Sequence, residues 1–446
     1  MDSDSLRFSN LSNTLTKMIG KKEKHDNGIY FTPPNTIVRS LELVSKHKPE
    51  SQPFHNILEP SCGSCEFIEK ARVCYPSASI TGIEYNKTIY ETIKNNYANH
   101  DGVGGSGNGI IRIMEGDFLK TTIRERYDLI IGNPPYYVMA KSDVDKAYYT
   151  YFDGRPNIFL LFIIKSLTLL TDDGILCFIL PKSFLNCLYY NKTRKYIYDN
   201  YTILSIEECD DTYIDTEQQT IIFIIQKKKK GNVADTTDDS DNDSNDNTKY
   251  RLNNYANYTN YTIFGTCETI NRLNELYLHT TTLNALQFKV SVGNIVWNEN
   301  KASLTDDSQK TRLIYSSDIK NNTLDNNIKQ YANTKKKNYI NRNGFNEPLL
   351  VINRGYGVGN YNFEYSLINC GSHGSHDGYI KEYLIENHLI CIRYEGSDSD
   401  EQDKINKYIQ IYTSLGDERT SEFIRLYFGN NAINTTELSH ILPIYL

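Results

Sequence analysis

The chain has 446 residues, 39% hydrophobic and 23% charged, enough apolar material for two domains and too much for a disordered chain. Its net charge of −7 looks wrong for a nucleic-acid-binding protein. Segments 231–249 and 396–403 hold −5 and −4 of that charge, so the remainder carries +2 and a basic groove is not excluded. The nine cysteines are odd in number and lack zinc-finger spacing, and residues 1–25 are too polar for a secretory leader. The longest apolar runs, such as Ile221–Ile225, are far shorter than a membrane span. The expectation is a reduced intracellular, cytoplasmic compartment, with no membrane and no metal. The 35 tyrosines follow mainly from AT-rich codons.

Residues 1–27 read as a polar N-terminal arm. From 28 to 228 short apolar runs alternate with helical periods. Strands are predicted at Asn56–Glu59, Ser79–Glu84, Ile110–Met114, Tyr127–Ile131, Gly174–Leu180, Ile203–Glu208 and Thr220–Gln226. Helices are predicted at Cys65–Cys74, Lys87–Ala98, Asn157–Leu170 and Asn191–Asn200. Such alternation builds a parallel sheet covered on both faces. The last two strands have no helix between them and are expected to pair as an antiparallel edge. Residues 229–249, after the basic run Lys227–Lys230, have the composition of an acidic disordered linker. A second domain, 250–446, reads as mixed α/β. Its short strands lie in VSVGNIVW, TRLIYSSDI, EPLLVINRGYGVGNYNF and NHLICIRY, and helical spacing follows in NKYIQIYTSLG and SEFIRLYFG.

The strongest chemical signal is Asn133-Pro134-Pro135-Tyr136, directly after the strand YDLIIG. Ligands bind beyond the C-terminal ends of strands in open α/β sheets. An amino group on a base is a poor nucleophile, because its lone pair is delocalised into the ring. The Asn133 amide oxygen and the Pro134 carbonyl can both accept its hydrogens and direct the lone pair outward. Pro134 and Pro135 stiffen the turn, and Tyr136 offers a stacking ring. Three further strand ends carry cofactor-like features. Glu59-Pro60-Ser61-Cys62-Gly63-Ser64-Cys65 is a small-residue turn opening a helix. Glu84 lies 25 residues after Glu59, where a ribose-hydroxyl acceptor is usual. Asp117-Phe118 pairs a carboxylate with a ring, suited to an adenine.

In this order the motifs resemble the gamma class of amino-methyltransferases, the N6-adenine DNA methyltransferases of restriction–modification systems. The resemblance implies a Rossmann-like S-adenosylmethionine-dependent sheet with an antiparallel edge strand, followed by a C-terminal target-recognition domain. Tyr30-Phe31-Thr32-Pro33-Pro34 matches the family's opening box and puts Thr32 against the cofactor's methionine part. Glu59, Ser61, Cys62 and Gly63 match the cofactor turn. Glu84 matches the ribose acceptor, Asp117 and Phe118 the adenine pair, and Asn133 also meets the cofactor. Asn133, Pro134, Pro135 and Tyr136 are the catalytic loop, and the strand QQTIIFIIQK points by offset to Tyr213 as a second stacking ring. Cys65 departs from the family, which has glycine there. The resemblance covers 28–226 well and 250–446 only by position.

It implies base flipping of adenine in double-stranded DNA and direct transfer without a metal or covalent intermediate. A monomer is expected, and the reading leaves room for a separately encoded restriction endonuclease. The AT-rich composition suits a large DNA virus or an AT-rich microbe. Candidate DNA contacts are Lys335, Lys336, Lys337, Arg342 and Arg354. His373 and His376 read as loop residues. The runner-up is N-methylation of a protein glutamine amide or of an RNA base amine, which poses the same problem to the same loop.

Overall fold

A computed structural model describes residues 7–48, 52–97, 109–211, 213–216, 218–227, 247–253, 261–354, 363–370, 380–397, 400–428 and 433–446. These form two units: 1–252 with 261–270, and 253–260 with 271–446.

The first unit is built on seven strands: β1 (Asn56–Glu59), β2 (Ser79–Glu84), β3 (Ile111–Glu115), β4 (Tyr127–Gly132), β5 (Leu170–Pro181), β6 (Tyr201–Cys209) and β7 (Thr220–Lys227), in the order β3-β2-β1-β4-β5-β7-β6. The first five run parallel. β7 runs antiparallel to both β5 and β6, so the last two strands do pair antiparallel at the sheet's end. The alternation implied a parallel sheet covered on both faces, and the resemblance implied a Rossmann-like sheet with an antiparallel edge; this sheet has both features. Side chains alternate between faces, as the pleat requires. Ile57, Leu129, Ile131, Ile175, Cys177 and Ile179 enter one apolar cluster. Leu58, Ile130, Leu176, Phe178 and Leu180 enter the other. Burial on both faces explains why these strands read as continuous apolar runs.

Among the described residues, helices α1 (Asn10–Met18), α2 (Lys21–Asn27), α3 (Pro34–Lys46), α4 (Glu66–Cys74), α5 (Lys87–Tyr97), α6 (Ile158–Leu169) and α7 (Asn191–Asn200) accompany the sheet. α6 is apolar almost all round and buried. Its Lys165 turns the ammonium toward the carbonyls of Phe118, Leu119 and Thr121, a use of a long side chain that keeps its charge satisfied inside the fold.

Two sequence expectations need correction. Residues 7–27 are not merely a polar arm. Ser9 caps α1 by accepting from the Ser12 amide, and Leu15 is fully buried. The Glu66 carboxylate takes bonds from the Ser9 amide, the Ser9 hydroxyl and the Ser12 hydroxyl. Lys24 of α2 is buried and reaches Asp215 at 2.7 Å. Only a few apolar residues seat these helices, and polar bonds do the rest, which is why hydropathy missed them. The boundary expected at 250 also moves. Asn247 accepts from the Ile203 amide at 2.8 Å and donates to the Tyr201 carbonyl at 2.8 Å. The Tyr250 hydroxyl donates to the Leu204 carbonyl at 2.9 Å. The buried Arg194 guanidinium donates to the carbonyls of Thr262, Phe184 and Cys187. Stretches 247–252 and 261–270 therefore belong to the first unit. The linker reading at 229–246 lies outside the described residues.

The second unit is mixed α/β. One antiparallel sheet runs Tyr365–Ile368, Leu349–Asn353, Leu389–Tyr394, Phe288–Val292. Another runs Leu304–Thr305, Tyr339–Ile340, Thr311–Ile314, Tyr383–Ile385, with its last pair parallel. Helices follow at Glu401–Leu415, Glu418–Tyr427 and Thr435–His440.

Candidate active site

The strand ends β1, β2 and β4 open on a cavity of about 660 Å³, within the usual range for small-ligand sites. Of the residues expected to bind a cofactor, Ser61, Gly63, Glu84, Asp117, Phe118 and Asn133 line it, and Pro135 does so from the catalytic loop. Thr32, Glu59, Cys62, Pro134, Tyr136 and Tyr213 are not among the lining residues. Tyr30, Phe31, Tyr85, Asn86, Tyr137 and Tyr148 line it without having been given a role. All but Tyr148 sit within two residues of a motif residue, so neighbourhood was the available signal. Tyr148 carried none.

The turn after β1 is held by backbone. The Cys62 amide donates to the Ile83 carbonyl at 2.9 Å, and the Cys65 amide to the Cys62 carbonyl at 2.7 Å. Gly63 has φ +51°, and a Cβ there would touch the Phe31 ring at 3.4 Å, so glycine fits the cradle. Cys65 has φ +63°, a left-handed backbone that costs a non-glycine residue about 1–2 kcal/mol. That is the physical reason for the family's glycine. The cysteine side chain is fully buried in the apolar cluster with Phe67 and Ile68, and Cys65 does not line the cavity. The Cys62 thiol is shifted well up, by its hydrogen bond with Cys65 and by burial.

Two carboxyl groups sit under this turn. Glu84 accepts from the Gly63 amide at 2.8 Å and the Asn86 amide at 2.7 Å. Burial pushes its pKa up to about 7, against the pull of those amides. The unfolded chain loses this proton near 4.5, so between there and about 7 the folded protein holds a proton that the unfolded chain does not. Stability supplied by Glu84 therefore falls as pH rises through that window. Burial raises Glu59 well above the carboxylate range, and its Oε2 is a buried oxygen with no hydrogen-bond partner. Glu59 does not line the cavity; the Gly63 cradle, with Glu84 held beside it by two amides, fits a nucleoside-bearing cofactor. At the cavity's other side Asp117 Oδ1 accepts from the Leu119 amide at 3.0 Å, and Lys120 pairs with Asp117 at 3.2 Å. The Phe118 ring packs 5.0 Å from Phe162.

The loop Asn133–Tyr136, expected to be catalytic, is fixed from three directions. Asn133 Nδ2 donates to Thr32 Oγ1 at 2.9 Å and, more weakly, to the Tyr30 carbonyl at 3.4 Å. The Tyr136 hydroxyl lies 2.5 Å from Asn133 Oδ1 and 2.8 Å from the Ile179 carbonyl. The Ser61 hydroxyl donates to the Asn133 carbonyl at 3.1 Å. Thr32 thus touches Asn133, a contact the opening box did not suggest. The Tyr136 ring packs edge-on to Phe159 at 6.0 Å. Tyr213 is only 5% exposed, with its hydroxyl 3.5 Å from Thr220 Oγ1. Gly28, φ +63°, closes α2 against the loop: a Cβ there would lie 2.5 Å from the Tyr136 amide nitrogen.

With this geometry in view, the chain's similarities to known proteins bear on the site. Residues 67–214 match the Eco57I restriction-modification methylase family. The type II methyltransferase M.CvrRI of Paramecium bursaria Chlorella virus XZ-6E is 28% identical over 447 residues, 98% of this chain and 99% of its own. Modification methylase CviBIII of Paramecium bursaria Chlorella virus NC1A is 32% identical over 225 residues, 49% of this chain and 55% of its own. Among solved structures, a Listeria monocytogenes protein described as a class I S-adenosylmethionine-dependent methyltransferase aligns with a TM-score of 0.41 and 16% identity, over 52% of this chain and 72% of its own. The methylase match spans α4 to the segment after β6, so it takes in Glu84, Asp117, Asn133–Tyr136 and Tyr213.

The candidate DNA contacts in the second unit are unequal. Lys335 and Arg342 are exposed, and Arg342 donates to Asn300 Oδ1 at 3.1 Å. Lys336 sits 4.0 Å over the Tyr315 ring and 4.6 Å over Tyr331, where burial lowers its pKa. Lys337 is paired with Asp306 at 2.6 Å. Arg354 is half-buried beside the strand end, its amide on the His388 carbonyl. His373 and His376 lie outside the described residues. Among the described residues, no cluster of His, Cys, Asp and Glu is arranged to hold a metal, and no helix is long and apolar enough to cross a membrane.

Proposed function

We propose that this chain is a site-specific DNA methyltransferase acting on the N6 amino group of adenine in double-stranded DNA, with S-adenosylmethionine as donor. One observation carries the reading: Asn133 and Pro135 meet, in a single cavity, the Glu84 and Asp117–Phe118 pairs expected of a nucleoside cofactor. The names of the chlorella-virus relatives, a type II methyltransferase and a modification methylase, support it.

S-adenosylmethionine, when bound, supplies an electrophilic methyl group. The protein's part is to present the amine. The Asn133 amide oxygen has two lone pairs, so one remains after the Tyr136 hydroxyl is satisfied. That lone pair and the Pro134 carbonyl accept the two amine hydrogens and direct the nitrogen lone pair at the donor. Transfer is direct, and the nitrogen sheds its proton once alkylated. The adenine must first leave the duplex, at a few kcal/mol. Stacking on Tyr136 and Tyr213 offsets part of this, at roughly 1–3 kcal/mol per ring. Tyr213 has to turn out from beside Thr220 to meet a base. Lys335, Arg342 and Arg354 are the proposed phosphate or base contacts, with Lys336 and Lys337 acting through the local structure they brace.

Glu84 is the proposed ribose acceptor, best suited to that task when ionised. Cofactor affinity measured by calorimetry should rise with pH across about 6 to 8, centred near the Glu84 value of about 7. Glu84→Gln should flatten that rise and weaken binding overall; an unchanged slope removes Glu84 from the ribose site. The reaction itself is tested by expressing the chain in a methylation-deficient host and sequencing single DNA molecules. Methylated adenine at one recurring site is expected. Methylation of glutamine peptides or RNA with every duplex untouched overturns the reading.

A further inference from the structure

We infer that the Tyr136 and Thr32 hydroxyls are positioning groups that clamp the Asn133 carboxamide, holding its oxygen toward the substrate amine. This rests on the reading of Asn133 above and assigns a role to two atoms that a stacking ring and a cofactor contact do not use. A carboxamide end is nearly symmetric in shape, so a small rotation exchanges an acceptor for a donor. A donor facing the amine would repel it. The Tyr30 carbonyl can only accept, so the edge facing it must be Nδ2, and Thr32 Oγ1 takes the same amino group at 2.9 Å. The opposite edge is then Oδ1, and it meets the Tyr136 hydroxyl at 2.5 Å. The single phenolic hydrogen is shared with the Ile179 carbonyl of β5 at 2.8 Å, the shorter contact being the one to Oδ1. Burial keeps the hydroxyl protonated, and so a donor, at any working pH. The clamp joins three chain segments: the stretch before α3, the loop after β4, and β5. It sets the amide before any substrate arrives, which is where preorganisation acts on rate.

Tyr136→Phe keeps the ring and removes only the hydroxyl; Thr32→Val keeps the shape and removes the other. Each should slow single-turnover methyl transfer on the order of ten-fold, the worth of one orienting hydrogen bond. Dissociation constants for duplex and for S-adenosylmethionine should shift less than about two-fold, and the melting temperature serves as the folding control. The decisive comparison is the double mutant. In an Asn133→Ala background, either substitution should change the residual rate less than two-fold, because the group it positions is gone. Wild-type rates in both single variants overturn the clamp, as does a ten-fold loss that persists without Asn133. If Asn133→Ala itself transfers methyl groups normally, the reading of the loop falls and the clamp with it. If Asn133→Ala is slow while Tyr136→Phe and Thr32→Val are not, only the clamp falls.

Discussion

Asn133→Ala should lower the single-turnover rate of adenine methylation by about 10²–10³-fold, the scale seen when one preorganised electrostatic contact is deleted from an active site. In the proposed reaction its amide is the side-chain acceptor in the loop, and the two prolines that follow leave the backbone little freedom to compensate. The Pro134 carbonyl remains, so the loss should stop short of abolition. Cofactor binding should weaken less than ten-fold, because Glu84, Asp117 and Phe118 are untouched. The KM for duplex should hardly move, since the contact is realised as the amine is alkylated. A variant with near-normal turnover rules out the side chain as the acceptor.

Gly28→Ala should be the most damaging substitution outside the loop. The new Cβ would stand 2.5 Å from the Tyr136 amide nitrogen and about as close as 3.1 Å to the Pro135 side chain, at φ +63°. Left-handed strain adds about 1–2 kcal/mol, and overpacking typically about 1–3 kcal/mol. A loss of about 2–5 kcal/mol in denaturant-measured stability follows. Any relief by movement pushes the catalytic loop away from the cavity, so the activity of the surviving folded fraction should fall as well. Gly20→Ala, at the other end of α2, is the control. Nothing lies within 4 Å of its Cβ, and its cost should stay within about 1 kcal/mol. Equal effects at the two positions contradict the packing of α2 on the loop.

The sequence exposed the sheet because its central strands are buried on both faces and carry apolar runs, as in β4, β7 and the second half of β5. The predicted Thr220–Gln226 and the observed Thr220–Lys227 differ by one residue. It exposed the site because strand ends carry ligands, and Glu84, Asp117 and Asn133 each follow an apolar run. Hydropathy could not expose α1 and α2, since their seating depends on Lys24–Asp215 and on Ser9 and Ser12 with Glu66. Polar contacts between distant residues leave no periodic trace. Nor could it tell that Thr32 meets Asn133, or that Tyr213 is tucked beside Thr220, because offsets from a motif fix position along the chain and not the rotamer. The sequence places Asn247 in the linker and Tyr250 in the second domain for a related reason: a composition break marks where a segment changes character, not where its last anchors dock.

Helices α2 and α3 are fastened to β6 and to the segment after it. Arg39 pairs with Glu207, Thr36 donates to Asp211, and Lys24 reaches Asp215, with 168, 175 and 191 residues between the partners. On a ribosome, the amino-terminal segment emerges long before β6 and the loop that follows it. Closing such large loops carries an entropic toll that only later contacts repay. A nascent chain therefore builds most of its sheet first. It gains a finished reaction chamber only when the carboxyl-terminal strands of the same unit arrive to receive the waiting helices.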